Sequence, residues 1–228
     1  MNKDDLPTLR AQSYCKEIRD SPAVTDLANK SAVIPVVELL LGKGNLSPIE
    51  SCQIALRFPR SPDMSAGSPH GHLDGLGSSL NGSSKGTYRH GFTMLAVVLL
   101  NHLPETHGGN FTVWPKSHTF FENYFRENGI GVLADGMPQV DLPEDPIQIT
   151  GQAGDLVIAH IKSSIQLSLT MHLTFAMLLF FGCVTNRRHS LATKLISIFG
   201  ENGPVFKGLP INCNRAVLRL VSTHEKRL

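Results

Sequence analysis

The residues best suited to chemistry are His70, His72 and Asp74, set in the glycine-bearing run HGHLDG over residues 70–75. In an extended stretch, His72 and Asp74 lie two apart and point to one face. An imidazole and a carboxylate placed that way can share one divalent metal, and they begin a 2-His-1-carboxylate set. Such a set covers one face of an octahedral iron(II) and leaves the remaining positions open to co-substrate and oxygen. The chemistry therefore needs a third ligand from elsewhere in the chain. The plain alternative is a solvated His72, with Asp74 bonding within its own turn.

The elements around this run must position it. Residues 6–30 have a helical character, with Leu9, Tyr14 and Ile18 at near-helical spacing. Ser21-Pro22 breaks that pattern and starts a second helix over Ala23 to Asn29. The run from Ala32 to Leu41 ends at Gly42 and carries Pro35 in its first turn, which predicts a short helix packed on the core. Cys52 to Phe58 alternates as the first core strand, so residues 1–48 read as a helical cover. Residues 61–91 are rich in Gly, Ser, Pro and Asn, and a loop of that length in a compact domain marks function or disorder. Phe92 to Leu100 is continuously apolar, as in a strand buried on both faces. Further strands are expected at Phe111 to Trp114, and as a pair at Ile147 to Thr150 and Asp155 to His160 around a glycine turn. A helix is expected over Phe120 to Asn128. Short strands with glycine turns argue for a β-sandwich or barrel with helices on its N-terminal side, an α+β chain dominated by β structure.

Length and composition limit the alternatives. A chain of 228 residues holds one sizeable core. The formal charge of +2 arises from interspersed lysines and arginines, with no basic run beyond Arg187-Arg188, which argues against nucleic acid as a partner. The polar N-terminus leads into no apolar h-region. Cys15, Cys52, Cys183 and Cys213 are scattered without metal-binding spacing and read as thiols of a reducing compartment, so a cytoplasmic location is expected.

Five segments taken together, QIALRFP at 53–59, HGHLDG at 70–75, KGT at 85–87, GNFTVWPKSH at 109–118 and GDLVIAH at 154–160, resemble the phytanoyl-CoA dioxygenase family. The resemblance runs in order over about residues 21–160. It implies a double-stranded β-helix, a jelly-roll core related to the cupins, that binds iron(II) and 2-oxoglutarate in its mouth. By that resemblance His72 and Asp74 are metal ligands, and the activity is hydroxylation of a small organic or acyl substrate. A distal histidine and an arginine clamping the far carboxylate of 2-oxoglutarate complete the family's site.

The text departs from the family after His160. Ile165 falls where the distal histidine belongs, and no cation stands near Ala176, where the arginine belongs. His160 and His172 remain as candidate third ligands, although His160 sits an odd number of residues from the family position and so faces away without a bulge. Arg215, in a phrase resembling the family's arginine strand, is a candidate for binding 2-oxoglutarate. The chain thus divides into a jelly-roll domain at 1–160 and an atypical segment at 161–228, with a core incomplete at its C-terminal edge and an apolar tail covering that edge. The uncharged stretch within residues 163–186 is long enough by count to cross a bilayer, but Ser163, Ser164, Gln166, Ser168, Thr170, His172 and Thr174 favour two buried strands instead. Two functions follow: an iron(II)- and 2-oxoglutarate-dependent dioxygenase, or a catalytically impaired, splice-variant-like relative with a binding or vestigial role. Of the other residues, Thr112 and Trp114 share a face and read as barrel packing, the sharper alternative being that one borders the co-substrate pocket, His118 reads as helix-capping or structural near the following helix, and Asp155 as a turn residue.

Overall fold

A computed structural model describes residues 18–58, 70–75, 93–160, 165–167, 176–183 and 218–220. Two helices open this set. Helix α1, Pro22–Asn29, starts with proline at its first position, where the fixed φ suits the helix and the missing N–H costs nothing. Helix α2, Val33–Leu41, buries Val33, Val36, Val37, Leu40 and Leu41, the spacing of one helical face, and stops at Gly42 with φ 89°. The Asn29 amide ties α1 to the chain ahead of the first strand, donating to Ile49 O at 2.8 Å and accepting from Ile49 N at 3.0 Å.

The strands form two sheets. The larger contains β1 (Gln53–Arg57), β7 (Ala176–Cys183), β2 (Met94–Leu99), β5 (Leu156–His160) and β8 (Leu218–Leu220), in that order. The smaller contains β4 (Ile147–Gln148), β3 (Phe111–Val113) and β6 (Ile165–Leu167). All pairings are antiparallel except that of β5 with β8. Helix α3, Ser117–Asn128, and a 3-10 helix, Ile130–Asp135, lie between β3 and β4. The result is a mixed α+β chain.

Alternation along the strands explains why both faces of the larger sheet are covered. Met94 and Ala96 of β2, with Leu156 and Ile158 of β5, pack in one apolar cluster with the buried faces of α1 and α2. The intervening Leu95, Val97, Leu99, Val157 and Ala159 pack with Phe111, Val113 and Ile165 of the smaller sheet. The continuous apolar run predicted as a doubly buried strand is therefore sandwiched between a helical layer and a second sheet.

Two expectations need correction. The strands at 147 and 156 are not a hairpin: β4 pairs with β3, and β5 pairs with β2 in the other sheet. The turn between them carries the chain across, held by the Asp155 carboxylate accepting from Gln152 N at 2.9 Å and by Gly154 at φ 93°. A side-chain carbon at Gly151 would lie 2.6 Å from Asp155 Oδ2, so a larger residue there would displace the carboxylate that closes the turn. Beyond the point where the family resemblance ends, the chain adds strands to the larger sheet. Strand β7 inserts between β1 and β2, pairing along Gln53–Arg57 and Met94–Leu99, and β8 lies on the outer edge of β5. Second, α3 begins at Ser117, three residues earlier than expected, after Lys116 adopts a left-handed φ of 59°. Within residues 163–186 the described residues are the strands β6 and β7. Among the described residues no helix is long and apolar enough to cross a membrane.

The placement of β7 gives a stability test. Phe181 is fully buried against the helical layer. Phe181→Ala is expected to lower unfolding free energy by about 3–5 kcal/mol in urea titration, the usual cost of emptying a large aromatic site. A loss below about 1 kcal/mol, within the range of ordinary surface changes, would remove β7 from the core.

Candidate metal centre

The HGHLDG run is anchored by its backbone. His72 N donates to Ile165 O, and Ile165 N donates to His72 O, both at 3.0 Å, an isolated antiparallel bridge onto β6. Leu73, next along, is 1% exposed and seats the run, while Gly75 turns the chain at φ 90°. This leaves His72 Nε2 3.5 Å from Asp74 Oδ1, with the two side chains 55% and 28% exposed. The predicted pair is therefore brought together at an accessible rim. His70 is exposed.

Whether these donors suit a metal follows from their separation. Two adjacent ligands of one cation, at bonds of about 2.1 Å, stand about 3 Å apart. The observed 3.5 Å is within about half an ångström of that separation. The pair thus fits two positions of a 2-His-1-carboxylate site. The third is not supplied among the described residues, which contain no group of three or more His, Cys, Asp or Glu able to hold an ion. His160 does not join His72 and Asp74 in such a group, and His172 and Arg215 lie outside the described residues.

His160 instead meets His118, with ring centroids 5.6 Å apart and planes tilted by 49°. Burial at the end of β5 pushes the His160 imidazole down to about 4, and the neighbouring His118 adds to the effect. Burial lowers the His118 imidazole as well. Both rings are accordingly neutral at pH 7. Sequence reasoning treated each as structural and missed their contact, because residues 42 positions apart carry no local signal of being neighbours.

Other residues singled out in the sequence lie in the packed interior. Thr112 and Trp114 are both buried, and the Thr112 hydroxyl donates to Asn110 O at 3.3 Å. Asn110, unnoticed in the sequence, is fully buried; its amide donates to Glu105 O and Ile149 O and accepts from Gly108 N, fastening the turn before β3. Lys116 reaches Glu144 at 2.7 Å and joins the start of α3 to the following loop. Burial raises the Cys183 thiol to about 12, which removes it as a nucleophile.

No family model matches the chain, and no curated protein matches it either. Among solved structures, it is similar to the non-heme alpha ketoglutarate dependent carbocyclase SnoK from nogalamycin biosynthesis. The identity is 16% and the TM-score 0.43, over 82% of this chain and 69% of that one.

The histidine contact generates a pH dependence. An unfolded His160 takes up its proton near pH 6.5, the folded one only near 4. Below pH 6.5 the unfolded chain thus binds more protons, and stability falls until about pH 4. His160→Gln is expected to remove about 2–3 kcal/mol of that acid-dependent loss, measured as the difference between wild-type and variant unfolding curves across this range. Parallel curves would mean that His160 is not buried in its neutral form.

Proposed function

We propose that this chain is an iron(II)- and 2-oxoglutarate-dependent dioxygenase-like protein of the phytanoyl-CoA dioxygenase type, with His72 and Asp74 as metal ligands. The observation that carries the reading is the 3.5 Å pairing of an imidazole nitrogen and a carboxylate oxygen on a run bridged to the smaller sheet. The order in which the chain visits the sheets supports a double-stranded β-helix. From β1 in the larger sheet it passes to the His72 bridge on the smaller, to β2 in the larger, and to β3 and β4 in the smaller. It then goes to β5 in the larger, β6 in the smaller and β7 in the larger. Repeated crossing between two facing sheets is how a jelly roll winds, and it leaves a mouth at one end for ligands.

In this reading iron(II) with 2-oxoglutarate supplies the oxygen-activating chemistry when bound, and the substrate is a small organic or acyl molecule. The chain's own contribution is to hold His72 and Asp74 at the rim. Their accessibility suits a site that must admit both co-substrate and substrate. A cytoplasmic location is part of the same reading.

The second reading, a catalytically impaired relative with a binding or vestigial role, is favoured by one observation. The residue paired with His72 is Ile165, whose hydrocarbon side chain carries no atom that can ligate a metal. Anaerobic titration with iron(II) and 2-oxoglutarate separates the two. The dioxygenase reading expects a charge-transfer absorption band in the wild-type protein that His72→Ala abolishes. Absence of the band from folded protein at saturating iron and 2-oxoglutarate would leave the second reading standing.

A further inference from the structure

We infer that residue 165 sets the metal affinity of this chain: Ile165 occupies the third-donor position of a two-donor site, and a ligating side chain there completes it. The inference rests on the reading of His72 and Asp74 as metal ligands. It does not require 2-oxoglutarate or catalysis.

The geometry comes from the bridge. His72 and Ile165 exchange both backbone hydrogen bonds at 3.0 Å, so they are directly opposed residues of an antiparallel pair. Opposed residues project their side chains to the same face, with β-carbons about 4.5–5.5 Å apart. A side chain at 165 therefore leaves the backbone beside the His72 imidazole, on the face where that imidazole meets Asp74. The next residue, Gln166, points to the opposite face by strand alternation. Position 165 is thus one from which a donor would stand beside both His72 and Asp74.

The occupant is the opposite of a ligand. Ile165 is 6% exposed and belongs to the apolar cluster between the sheets, packed with Leu95, Val97, Val113 and Ala159. Its partner His72 is 55% exposed. The bridge therefore straddles the boundary between core and rim, and the isoleucine closes the inner side of the site with hydrocarbon. A cation held by His72 and Asp74 alone keeps most of its positions open to water or small chelators, which makes it weakly held and rapidly exchanged.

A histidine at 165 would start from the same backbone position. It would sacrifice some apolar packing in the metal-free protein and regain stability on metal binding, because only the folded chain assembles the three donors.

The test uses cobalt(II) alone, by calorimetric titration and visible absorption, on the full chain. Ile165→His should bind cobalt(II) more than about tenfold tighter than wild type, since losing even an outer partner of a metal ligand changes affinity by about 10–100-fold. Its melting temperature should rise with cobalt(II) more than that of wild type. His72→Ala in the Ile165→His background should abolish the gain, and Ile165→Leu should bind like wild type. If the histidine variant does not fold without metal, Ile165→Cys replaces it, and its thiolate should add a sulfur-to-cobalt charge-transfer band. Wild-type affinity equal to that of Ile165→His would overturn the inference, because a third donor would then already be present. A folded histidine or cysteine variant without the gain would overturn it as well. A gain in cobalt(II) affinity with no 2-oxoglutarate band would uphold this inference and count against the dioxygenase reading.

Discussion

The constraint on which the rest depends is that β2 is apolar on both faces. Met94 and Ala96 need one covering layer, and Leu95, Val97 and Leu99 need another. Burying such a strand on a single side would leave several large side chains in water, each costing about 1.5–3 kcal/mol. The helical pair supplies one cover and the smaller sheet the other. Strand β5 has the same double demand, and the antiparallel register of β2 with β5 aligns their two sets of side chains. In this chain both layers are filled by crossing repeatedly between the sheets.

Those crossings place the candidate site. The segment between β1 and β2 leaves the larger sheet and returns to it, and midway it touches the smaller sheet through the His72–Ile165 bridge. A two-way backbone contact fixes where His72 lies without constraining its side chain, which stays accessible. Leu73, the next residue, is buried, and by alternation it lies on the face opposite His72. The site is therefore a rim feature hung from a rigid sheet by one bridge and one buried leucine.

Polar groups inside the fold are used to guide the chain. Asn110 satisfies three backbone groups, and Asp155 closes the turn that carries the chain between sheets. The His118–His160 contact is of a different kind. Two neutral rings at the junction of α3 and β5 pack as largely apolar bodies at neutral pH, and they become a liability when acid charges them. Buried Cys183, on the strand that completes the larger sheet, behaves as a small apolar side chain.

The sequence by itself determined the local elements and the candidate pair. Helix α2 was legible in its apolar spacing and Gly42, β2 in its unbroken apolar run, and His72 with Asp74 in their spacing of two. These are properties of neighbouring residues, and short-range sterics and periodicity encode them. Only the tertiary structure decided that β4 and β5 belong to different sheets, that β7 lies between β1 and β2, and that His118 meets His160. It also decided that Ile165 faces His72 across 93 positions of chain. Such partners are chosen by backbone hydrogen bonding and by which apolar faces must meet, and neither leaves a mark in the residues next door. The spacing of two made His72 and Asp74 a candidate site; the bridge to Ile165 shows what stands beside it.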